Sequence, residues 1–144
     1  MKLRHLLYAV TLVFIASGFA TAGISDWFYG QSWNFMESVG GISIGTPSRN
    51  LQGSVYLPVI CDVSGLTTIT RKPTVLNSAL VVTGIDKKIE DKRIYISVST
   101  GLASKNSSCT CSGVDMGSIP AGDYQVFYYG SDREKHSLGK VTVP

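Results

Sequence analysis

The chain has 144 residues, with 13 basic and 10 acidic side chains, three cysteines and a formal charge of +3. Two of the basic residues, Lys2 and Arg4, sit in the first four positions, and the rest of the sequence is close to neutral. That balance excludes the basic face with which a protein neutralises nucleic-acid phosphates, so no nucleic-acid partner is expected.

The first residues predict export. Lys2 and Arg4 precede an apolar run from Leu6 to Ile15, and Ala20-Thr21-Ala22 supplies the small residues a signal peptidase reads. This is the pattern of a secretory signal peptide over 1–22, and its apolar core is too short for a membrane anchor. Gly23 rather than a lipid-bearing cysteine stands directly after Ala22, and no later stretch is apolar for long enough to cross a bilayer. The expected product is periplasmic or secreted, of a size to bury roughly two-thirds of its unfolded surface around one core.

Residues 23–38 form an aromatic N-terminal segment. Trp27, Phe28, Tyr29, Trp33, Phe35 and Met36 crowd into "DWFYGQSWNFM". Tyr29, Trp33 and Met36 share a helical face, while Trp27, Tyr29, Trp33 and Phe35 alternate as in a strand, so periodicity leaves both conformations open. Aromatics at this density are candidate contacts for another envelope or extracellular macromolecule. They equally suit a segment packed over an open end of its own fold.

From residue 39 to 144 the pattern is that of a β domain. In "SVYLPVICDV", Val55, Leu57, Val59, Cys61 and Val63 alternate with a mixed face, and Pro58 predicts an edge or a bulge. "SALVVTGI", "RIYISVST", "DYQVFYYG" and "GKVTV" supply further strands, with Ile94, Ile96 and Val98 on one face and Tyr124, Val126 and Tyr128 on another. Turn residues separate them at Gly45-Thr46-Pro47, Ser64-Gly65, Pro73 with Asn77, Gly101 and Pro120-Ala121-Gly122. The mixed charges from Asp86 to Arg93 read as a hairpin tip. Seven or eight such strands predict an all-β fold, an antiparallel β-sandwich. Over residues 119–129, "IPAGDYQVFYY" resembles the lead-in to the penultimate strand of many secreted immunoglobulin-like domains, which implies that architecture and no activity.

The cysteines are the sharpest chemical feature. In an oxidising compartment Cys61 is expected to pair with Cys109 or with Cys111, closing a loop of about fifty residues; a Cys109–Cys111 bond would close a very small ring. One thiol is left over. The alternative is a metal-handling protein in which Cys61, Cys109, Cys111 and His136 hold zinc or copper; C-x-C is a looser signal for this than paired C-x-x-C. No C-x-x-C marks a thioredoxin-like redox site.

No catalytic residues are expected. "GISIG" matches a nucleophile elbow at Ser43, with Asp132 and His136 following in order, but Pro47 comes where the required helix should begin. Asn106-Ser107-Ser108 is a glycosylation sequon of consequence only in a eukaryotic host. The sequence therefore points to an exported, non-catalytic binding protein of the bacterial envelope without a cofactor. The alternatives are the metal-handling protein and, behind it, a subunit of a surface assembly that pairs through an exposed strand edge.

Overall fold

A computed structural model describes residues 30–144. The signal peptide expected over 1–22, and Trp27, Phe28 and Tyr29, lie outside the described residues.

The chain enters along the four-stranded sheet described below and turns into one short helix, α1 (Trp33–Ser38). Ser32 caps it, its hydroxyl accepting the Phe35 N–H at 3.2 Å, a side-chain oxygen taking over an amide that the helix leaves unpaired. Met36 is its fully buried residue. Gly40 and Gly41 end the helix at φ +121° and +91°, in a backbone region that side chains disfavour. The Gly40 carbonyl then accepts the N–H groups of Ile69, Thr70 and Arg71, tying a distant loop to the helix end.

Nine strands follow: β1 (Ile42–Ile44), β2 (Ser48–Arg49), β3 (Val55–Leu57), β4 (Val59–Cys61), β5 (Leu80–Glu90), β6 (Arg93–Leu102), β7 (Val114–Asp115), β8 (Gly122–Tyr129) and β9 (Lys135–Val143). β1 pairs with β4, β2 with β3 and β3 with β7, while β5-β6-β8-β9 form a four-stranded sheet. The first four strands are a single bent hairpin. Pro58 interrupts one arm, Gly45 to Pro47 interrupt the other, and the Gly45 N–H bridges the gap to the Pro58 carbonyl at 2.9 Å. Pro58 thus marks a break, as its missing N–H predicts.

The all-β class holds, but the expectation of a wholly antiparallel arrangement needs one correction. β6 and β8 run parallel, from Arg93 opposite Gln125 to Ile96 opposite Tyr128. Parallel neighbours need a long crossover. Here residues 103–121 leave the four-stranded sheet, form β7 against β3, and return as β8.

One hydrophobic cluster joins the sheets. Val55, Leu57, Val59, Cys61 and Val63 come from the bent hairpin, and Ile94, Ile96 and Val98 from β6. Tyr124, Val126 and Tyr128 come from β8, and Met36 from α1; all of these are buried. Tyr95 and Ser97, on the alternate positions of β6, are buried too. Tyr95 lies against Phe127 and Tyr129 at 5.5 and 6.4 Å. Ser97 is buried beside Gly30, where a Cβ would fall 1.5 Å from its Oγ. Among the described residues no helix is long and apolar enough to cross a membrane.

Candidate functional site

Three clusters carry the chemistry of the described chain. The first contains the cysteines. Asp62 faces Thr110 in an antiparallel bridge, with the Val63 N–H donating to the Cys109 carbonyl at 2.8 Å and the Cys111 N–H to the Cys61 carbonyl at 3.1 Å. This register sets Cys111 opposite Cys61, and the two form a disulfide with a Cα–Cα distance of 5.0 Å across a separation of 50 residues. Of the two partners open to Cys61, the structure takes Cys111. Cys109 is a half-buried free thiol.

Asp62 is buried beside that thiol. Its carboxylate accepts the Ser64 N–H at 2.9 Å, the Ser64 hydroxyl at 2.5 Å and the Thr67 hydroxyl at 2.7 Å. Burial works against its charge, yet the hydrogen bonds from Ser64, Thr67 and the Cys109 thiol outweigh it and hold the carboxyl below its ordinary value of 3.8. A carboxyl depressed on folding stabilises the fold above its unfolded value, and the gain is lost as pH falls through the folded value. An Asp62→Asn variant should therefore be less stable than the parent near neutrality, with the gap closing below about pH 4. Urea midpoints measured from about pH 7 to about pH 3 check this, and a pH-independent gap would contradict it.

The second cluster holds α1 to the sheet. Trp33 stacks on His136 with ring centroids 4.6 Å apart and planes 5° from parallel, and leans on Tyr128 at 5.8 Å. The Trp33 backbone N–H donates to Asp132 Oδ2 at 3.4 Å. The same oxygen meets His136 Nε2 at 3.1 Å, and Glu134 Oε2 lies 3.8 Å from that nitrogen. Asp132 and Glu134 lie in the turn ahead of β9, where Arg133 at φ +60° bends the chain, and His136 is the second residue of β9. Burial also opposes the charge of Asp132, but bonds from the Glu134 N–H, His136 and the Trp33 N–H hold its carboxyl below the ordinary 3.8. Phe35 is partly buried against the core and Met36 lies wholly within it.

The set of Cys61, Cys109, Cys111 and His136 does not assemble. Two of its thiols are spent in the disulfide, and the imidazole is engaged by Asp132, Glu134 and Trp33. Among the described residues, the grouping with cation-binding spacing is instead Asp132, Glu134 and His136, whose ligand atoms lie within 4.8 Å of one another. Ser43 lies in the middle of β1 opposite Ile60, followed by Gly45 to Pro47 and no helix.

The third cluster escaped the sequence reading. Leu66, Leu76 and Leu102 are 79, 75 and 79% exposed, and Val75 is exposed beside Leu76. Leu66 and Leu76 ride on two loops and Leu102 ends β6, and main-chain hydrogen bonds link these places. The Asn77 N–H donates to the Ser64 carbonyl at 2.8 Å, and the Ala103 N–H to the Ala79 carbonyl at 2.9 Å. Gly65 lets the two loops touch, since a Cβ there would fall 1.9 Å from the Val75 carbonyl oxygen. The available signal was an apolar residue outside any alternating run: Leu66 in "SGLTT", Leu76 in "TVLNS" and Leu102 in "TGLAS". Compared with known proteins, the chain matches no family model, no curated protein and no solved structure.

Proposed function

We propose that the protein is an exported binding protein of the bacterial envelope, an immunoglobulin-like β-sandwich that works by presenting a surface rather than by catalysis. Its contact surface is the loop end carrying Leu66, Val75, Leu76 and Leu102. The observation that carries this reading is the exposure of three leucines on two neighbouring loops and the adjoining end of β6, held by main-chain bonds. Apolar side chains left in water on a tethered surface are costly unless a partner covers them. Lys72 is exposed on the Leu76 loop and Lys105 on the loop that follows Leu102, so the partner is a macromolecule with an apolar patch fringed by acidic groups.

The test is a triple variant, Leu66→Ser, Leu76→Ser and Leu102→Ser. It should keep the parent's melting midpoint while losing both apolar-dye binding and whatever co-purifies with the parent from its native envelope. Unchanged co-purification would sink the assignment.

A second reading, metal handling, rests on Asp132, Glu134 and His136. The hydrogen bond between His136 and Asp132 and the Trp33 stack account for that geometry without a cation, so we put the binding reading first.

A further inference from the structure

Cys109 and Cys111 stand two residues apart, one full repeat of an extended strand. In the register above, Cys111 lies opposite Cys61 and Cys109 lies opposite Val63. A strand displaced by one residue would turn every side chain to the wrong face, whereas a displacement of two restores the alternation. Moving the 109–111 segment by two residues along its partner therefore brings Cys109 opposite Cys61. The C-x-C spacing suits both positions.

The surrounding chain has the slack to allow this. Residues 103–107 form an exposed loop on one side, and Ser108 is held to β5 by its carbonyl, which accepts the Val82 N–H at 2.8 Å and must be released for the move. On the other, Ser112 and Gly113 separate the cysteines from β7, with Gly113 at φ +136° and Gly117 beyond β7 at φ +69°. Asp62 stands at the bridge itself, opposite Thr110, with its carboxylate tied to Ser64 and Thr67.

We propose that the three cysteines form a two-position disulfide latch. The Cys109 thiol gives up its proton and the sulfur attacks Cys61 Sγ. The Cys61–Cys109 bond forms as the Cys61–Cys111 bond breaks, and Cys111 leaves as a thiolate that takes up a proton. One disulfide and one thiol are present before and after, so no oxidant or reductant is consumed. The displaced segment travels about 7 Å, two strand residues, and draws on the 103–107 loop that follows Leu102. The latch thus alters the loop end. That consequence rests on the contact surface proposed above, whereas the exchange itself does not.

Disulfide mapping separates the two. Wild-type protein held in a glutathione buffer under native conditions, then alkylated in acid and digested, should yield a Cys61–Cys109 peptide pair beside Cys61–Cys111. A Cys111→Ala variant oxidised in the same buffer should titrate with no free thiol and map to Cys61–Cys109. A Cys109→Ala variant should keep Cys61–Cys111 alone. A folded Cys111→Ala protein retaining two free thiols overturns the latch. Should that variant not fold, the wild-type map decides: Cys61–Cys111 alone, or a Cys109–Cys111 pair, overturns it. Loss of partner binding in the leucine triple variant would leave this map unchanged.

Discussion

A chain lacking residues 23–38 should fail to hold the native fold. The deletion removes α1, and with it Met36, whose side chain is fully enclosed by the core. Emptying a site of that kind costs about 2–5 kcal/mol when only one side chain is cut back. It also removes main-chain ties to the four-stranded sheet. The Gln31 N–H donates to the Val98 carbonyl at 2.8 Å, and the Ser131 N–H to the Gly30 carbonyl at 3.2 Å. The buried Tyr128 hydroxyl loses its acceptor, the Gln31 carbonyl at 2.7 Å. Its phenol is already pushed up to about 12, chiefly by burial, so ionisation gives it no escape. Set against a total stability of about 5–15 kcal/mol for a typical domain, these losses are decisive. Circular dichroism and a thermal melt of the truncated protein check the outcome. Met36→Ala alone should lower stability by about 2–5 kcal/mol with the fold retained. A truncated domain that melts like the parent would show that the segment's contacts contribute nothing.

Strand faces were legible because burial on one side imposes a period of two. The run from Val55 to Val63 alternates in the sequence, and its five odd positions are buried in the structure. The same holds for Tyr124, Val126 and Tyr128. Where that period failed, the cause lies in contacts remote in the chain. Tyr95 and Ser97 read as outward positions, yet an aromatic cluster encloses the first and the absent side chain of Gly30 makes room for the second. The parallel pairing of β6 with β8 is set by the path of residues 103–121, which no local pattern encodes. In the N-terminal segment, a six-residue helix is too short for periods of 2 and 3.6 to diverge. The usable signal there was Ser32, a helix-capping residue directly ahead of Trp33. For the cysteines, spacing limited Cys61 to two partners, and the choice between them depends on one register across Asp62 and Thr110.

That register leads to the second large effect. Replacing Cys61 by Ala should cost about 4 kcal/mol in the chain-entropy description, since it releases a loop with a separation of 50 residues. The loss should appear as a lower urea midpoint with a steeper slope, because the uncrosslinked unfolded chain exposes more surface, and reduced wild-type protein should match it closely. Alanine is the informative replacement because Cys61 is buried, where a serine hydroxyl would add its own desolvation cost. Cys111→Ala separates the two descriptions of the staple. If the disulfide has one position, this variant should lose as much as Cys61→Ala. If Cys109 can take the place of Cys111, the variant closes a loop only two residues shorter, and loop entropy changes little over that interval. Cys111→Ala should then lose much less than Cys61→Ala in oxidising buffer and fall to the same midpoint once a reductant is added. The difference between the two midpoints, with and without reductant, measures how well Cys61 is served by its second partner.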